Sequence, residues 1–181
     1  MLAAWPDNRT HPTTRINMEW LEKTFTFSLV LERWQQLGLA FLLGSFTVAT
    51  LSDIKRLSAQ REFLEVWICF LLGVLAFEAY DVHAGKLDGS LIAVKWGLIA
   101  LLSLLSYHRI GVLFRLAKGD VAALAAAASL LTPILVLIFY GLAKVIAWVL
   151  QRLIWPNRPY WPFLPVVSLA TIAVMVLGLL W

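Results

Sequence analysis

The chain is predicted to be an all-α integral membrane protein, a bundle of about six transmembrane helices. Composition and pattern both lead there. Of its 181 residues, 61% are hydrophobic and only 14% charged, whereas soluble domains run at about 45–50% apolar and about 25% charged. The charges collect in short loops between apolar segments instead of spreading along the chain. Those segments are apolar on every face, so they read as lipid-embedded helices; barrel strands alternate polar and apolar residues. A helix needs about 20 residues to cross a bilayer, and six short ones take up nearly all of this length.

Residues 1–36 stand outside that pattern. "MLAAWPDNRTHPTTRINMEW" lacks the apolar core of a signal peptide, and Pro6 and Pro12 mark it as a loosely held tail, with Met18 as an alternative start. "MEWLEKTFTFSLVLERWQQ" sets Trp20, Leu21, Phe25, Leu29 and Trp34 among charges, the composition of an interfacial amphipathic helix. The first span, "LGLAFLLGSFTVATL", covers 37–51 and closes at Ser52-Asp53. The basic loop "SDIKRLSAQR" leads to a second span at 63–79, and "YDVHAGKLDGS" leads to a third at 91–107. After the loop "HRIGVLFRLAKGD" comes an apolar run, 121–150, that would make roughly 45 Å of helix. That is long for one span, and Thr132-Pro133 interrupts it, since proline lacks an N–H and clashes with the preceding turn. It divides into a short fourth helix, 121–131, and a fifth, 134–151. The aromatic-rich connector "RLIWPNRPYWP" has the composition of a membrane interface and precedes a last span at 163–181.

Charge sets the topology. The loops at 52–62, 108–119 and 152–160 hold Lys55, Arg56, Arg61, Arg109, Arg115, Lys118, Arg152 and Arg158. The opposite side has Lys86 facing Asp81 and Asp88, and an uncharged turn at Thr132-Pro133. The positive-inside rule predicts a multi-pass cell-membrane protein with those three basic loops in the cytoplasm and the N-terminus outside. One kinked helix over 121–150 would strand Arg152 and Arg158 outside. The net charge of +4 sits singly at span ends and forms no basic stripe, so no nucleic-acid partner is expected. Cys69 is the single cysteine, which excludes a disulfide framework and a cysteine-based zinc site. His11, His83 and His108 fall in separate loops; no metal and no cofactor is expected.

Two carboxylates meet at one membrane boundary in this topology: Asp53 closes the first span and Asp120 opens the fourth. Ionisable groups at membrane depth are costly and point to function. A plainer reading stands beside that one. An aspartate at a helix N-terminus caps it and favours its dipole, and one at a span's end faces water. Glu78 and Lys95, near the outer ends of their helices, are read as a structural pair or as snorkelling side chains. Lys144, inside the fifth helix, is left open between the interface and the bundle interior. Trp20, Trp34, Trp155, Trp161 and Trp181 read as interface anchors.

Three stretches, in order, resemble the type IV prepilin peptidase family, in particular its archaeal preflagellin-peptidase branch of GxGD-type membrane aspartic proteases. "TLSDIKR" is similar to the family's S-x-x-D-x-K/R-x-R at the end of its first helix, and "AKGDVAALAAAASLLTP" to its glycine-rich motif opening a small-residue helix that ends in proline. "RPYWPFLPVV", 158–167, is similar to the "PFxPFL" before its final span. The resemblance runs from about residue 37 to the end and implies a six-helix membrane aspartic peptidase domain over 37–181. It implies catalytic Asp53 and Asp120, backbone support from Ala117, Lys118 and Gly119, and an active site facing the cytoplasm. The implied substrate is the short leader of a prepilin-like or preflagellin-like precursor, whose basic head Glu62 and Glu65 would attract if they do more than solvate a helix end. The chain departs from the family at Ala117, where glycine is usual, at Ala122, where lysine is common, and in "RLSAQREFLEVW", which replaces R-x-I/V-P-N/D. The cysteine-rich domain of bifunctional members is absent, so N-methylation is not expected. Two further readings use the same aspartates: a small ion- or proton-coupled transporter, and a catalytically inactive homologue acting as a membrane scaffold.

Overall fold

The computed structural model describes residues 30–56, 61–154 and 162–180, leaving aside the side chains of 52–56, 61 and 180. The expected tail, most of the interfacial segment, the Asp53 side chain and the connector bearing Arg158 lie outside the described residues. Six helices follow in order: α1 (Arg33–Arg56), α2 (Arg61–His83), α3 (Gly89–Ser106), α4 (Lys118–Ser129), α5 (Pro133–Leu153) and α6 (Leu164–Leu180). Three of them, α2, α3 and α5, are long and apolar enough to cross a membrane, and α6 is apolar but shorter.

Each expected segment corresponds to a helix, and two boundaries move in ways that matter. α1 begins ahead of residue 37 and continues through Asp53 to Arg56, so Asp53 belongs to the last turn of the helix. α4 begins at Lys118 instead of 121, and its N-cap is Ala117. Asp120 is therefore inside the first turn and is not the cap residue, although its carboxylate still lies where the helix dipole favours negative charge. The division near Pro133 is found where the proline requires it: Thr132 is the N-cap of α5 and Pro133 its first residue, a position where a missing N–H costs nothing.

α4 is the hub of the bundle, packed against all five other helices. Its sequence is the reason. Ala123, Ala126, Ala127 and Ala128 are fully buried, and side chains this small let neighbouring backbones approach on every side. One such approach is made by α1, where a Cβ added at Gly38 would lie 2.8 Å from a methyl of Leu130. At 12 residues α4 rises only about 18 Å, short of the roughly 30 Å hydrocarbon core.

Side-chain contacts set the directions. α1 and α2 are antiparallel: Phe41 stacks on Phe70, Trp34 meets Phe77, and the Trp67 indole donates to the Ser45 hydroxyl at 3.1 Å. Leu31 packs on Gly178, which puts the start of α1 beside the end of α6. Phe114, ahead of α4, meets Phe163, ahead of α6, with ring centroids 5.2 Å apart, so α4 and α6 start together and oppose α1. α3 and α5 run the same way, with the Ser103 and Tyr140 hydroxyls 3.1 Å apart. Counting back from that contact places Pro133 level with Trp96, about 10 Å along the axis from the start of α3. The α4–α5 turn thus stops inside the bundle, and Leu130 and Leu131 in it are buried. The Glu78–Lys95 ion pair lies at the same level, at 2.5 Å, with the Trp96 indole donating to Glu78 Oε2 at 2.9 Å.

Candidate active site at the Asp120 end

The loop 107–117 joins α3 to α4 and is folded back on itself. The His108 amide donates to the Leu116 carbonyl at 3.1 Å, the Leu116 amide to Ser106 at 3.0 Å, and the Leu113 amide to Leu105 at 3.1 Å. Gly111, at φ 59°, makes the reversal in a conformation that glycine adopts freely. Phe114 and Leu116 are buried and anchor the loop on the bundle.

Lys144 of α5 completes this anchoring. Its ammonium donates to the Leu113 carbonyl and lies 5.0 Å from the centroid of the Phe114 ring, a distance at which the ring quadrupole attracts a cation. Lys144 is thus exposed and not in the bundle interior, and its head reaches the loop at the bundle end. The signal in the sequence is modest but present: Lys144, Ala147, Trp148 and Gln151 are spaced as one helical face.

That face and the loop enclose a cavity of about 890 Å³. Asp120 lines it from the first turn of α4, together with His108, Arg115 and Lys118. Pro162 and Phe163, from the stretch 158–167, line another side. Asp120 is half-buried.

The backbone of the motif bears on its departure from glycine. Ala117 has φ −71° and ψ 164°, extended backbone that alanine adopts without strain. Gly119 lies within α4 and is not among the glycines of positive φ, which are Gly85 and Gly111. Replacing the motif's first glycine by Ala117 therefore costs no backbone strain. Lys118, the first helical residue, is exposed and is one of the residues that line the cavity.

Register relates Asp53 to Asp120. With Gly38 level with Leu130 and the two helices antiparallel, Asp53 lies roughly 22 Å from that level and Asp120 roughly 15 Å, in the same direction. The two residues belong to the same end of the bundle, Asp53 about 7 Å further along the axis. Glu62 and Glu65 are exposed on the opening turns of α2, level with the last turns of α1. Among the described residues no group of three or more His, Cys, Asp or Glu side chains is placed to hold a metal ion. No family model, curated protein or solved structure matches the chain.

Proposed function

We propose that the chain is a membrane-embedded aspartic endopeptidase in which Asp53 and Asp120 form the catalytic pair. The observation that carries the proposal is the register: two carboxylate positions from distant parts of the chain come to one end of the bundle, and one of them, Asp120, lines a cavity there. The resemblance to prepilin and preflagellin peptidases, unsupported by any match to a known protein, supplies the chemistry. Two carboxylates that approach within hydrogen-bonding reach cannot both ionise readily, so they share a proton and titrate as a pair. One acts as general base on a water while the other, protonated, polarises the scissile carbonyl. The roughly 7 Å axial offset is bridged by side-chain reach, by an intervening water, or by a shift of the α1 end when substrate enters. The proposed substrate is a leader peptide whose basic head stays in the cytosol while its apolar stretch lies in the bilayer, and Glu62 and Glu65 would face the head.

In the full proposal six helices are embedded with the basic loops in the cytoplasm, α4 reaching only part of the way. A half-length α4 keeps the charge argument intact, because a helix that enters and returns as α5 brings Arg152 back to the side of Arg115.

The test is cleavage of prepilin-like precursors by membranes carrying the wild type, Asp53→Asn or Asp120→Asn. Each single change is expected to lower cleavage by at least about 10³-fold, the order seen when a member of a concerted catalytic set is lost. Cleavage that persists in either variant would remove the dyad.

A further inference from the structure

We infer that the cavity at the Asp120 end holds the headgroup of an anionic phospholipid against Arg115, Lys118 and Lys144. The inference stands independently of the peptidase reading. Three basic side chains line this cavity against one carboxylate among its described lining residues, Asp120, an excess of formal positive charge. One of the cations is tied down and a second packs its stem against backbone. The Lys144 ammonium is tied to the Leu113 carbonyl and the Phe114 ring, and the stem of Arg115 lies over Gly111 so closely that an added Cβ would sit 2.9 Å from its Cγ. The glycine at 111 thus serves the placement of Arg115 as well as the turn.

The remaining lining suits a lipid better than a free anion. Trp148 and Val112 border the cavity and are 60% and 69% exposed, and Val145, on the same stretch of α5, is 58% exposed. Arg152 stands 5.7 Å from the Trp148 ring, an indole beside a cation as found at a headgroup boundary. A phosphate seated on the cations leaves its glycerol and acyl chains against these apolar side chains. Basic pockets between helices on the positively charged face of a membrane protein recognise anionic headgroups in this way.

The experiment uses the full chain in a neutral detergent, titrated with dioleoyl phosphatidylglycerol, with dioleoyl phosphatidylcholine, and with inorganic phosphate. Binding is read by native mass spectrometry and by the shift in unfolding temperature. The glycerol lipid is expected to bind near one per chain, to raise the midpoint by several degrees, and to weaken as salt rises. Arg115→Gln with Lys118→Gln, both on exposed side chains, should lower its affinity about fivefold per charge removed, while Lys86→Gln at the opposite end leaves it unchanged. Equal binding of the choline lipid, or undiminished binding in the double variant, overturns the inference. A shift reproduced by phosphate alone overturns it in favour of a soluble anion.

Discussion

Glu78 and Lys95 are 3% and 2% exposed and form an ion pair inside the bundle, with the Trp96 indole also donating to Glu78. Removing one partner leaves a bare charge in the bundle, so Glu78→Ala is expected to cost about 3–5 kcal/mol, whereas Glu78→Leu with Lys95→Leu is close to neutral. Chaotrope unfolding of the wild type and the two variants in detergent checks this, and equal losses from the single and the double change would show that packing, not charge, dominates. Asp88 is a simpler case at the water-exposed end. It is the N-cap of α3, its carboxylate accepting from the side chain and then the backbone of Ser90, and these bonds hold its pKa below the usual 3.8. A group depressed on folding stabilises above its unfolded pKa, so the contribution is complete well above pH 3.8 and is lost as pH falls through the lower folded value. Asp88→Asn, which still accepts from Ser90 but does not titrate, is expected to flatten that acid limb of the stability curve.

At the scale of elements, α4 shows how a sequence of small residues becomes structurally central. A soluble amphipathic helix shows one apolar face, whereas α4 buries every residue from Ala123 to Ser129. Ala126→Leu therefore has nowhere to place its added carbons and is expected to cost about 1–3 kcal/mol or more. The close approaches made by glycine rank by what they meet. At Gly38 a new Cβ meets the far end of Leu130, while at Gly178 it meets Cδ1 of Leu31 at 2.6 Å and Cγ at 2.8 Å. Gly178→Ala should accordingly lower the unfolding midpoint more than Gly38→Ala. The opposite order would mean that the chain around Leu31 yields more easily than the α4–α5 turn.

For the whole molecule, the prediction concerns which end faces which compartment. In a Cys69→Ser background, Lys86→Cys and Val112→Cys carry single thiols on exposed loops at opposite ends of the bundle. A membrane-impermeant maleimide is expected to label the Lys86→Cys variant in intact cells and the Val112→Cys variant only after permeabilisation. Labelling of both from outside would overturn the proposed topology, and with it the proposed cytoplasmic side of Asp120. Much of this level is legible without coordinates, because hydropathy marks where helices lie and the loop charges mark their ends. For that reason the sequence already predicts Asp53 and Asp120 at the same end of the bundle. What Asp120 lines is not legible in the same way, since the cavity is made by Lys144, Arg115 and Phe163 from three separate parts of the chain.

By itself the sequence determined the class and the order of the parts. Apolar length specifies helices, proline specifies the break at 132–133, and the distribution of cations specifies which ends go together, because each of these acts locally or through the bilayer. Only the tertiary structure decided which helix is central, that the α4–α5 turn ends about 10 Å inside the bundle, that Glu78 pairs with Lys95, and that Lys144 ties down the wall beside Asp120. Those outcomes depend on which faces interlock. Helices that are apolar all round carry no periodic mark of their neighbours, so contact is chosen by shape, by small residues such as Gly38 and Ala126, and by the few polar groups that must find partners away from water.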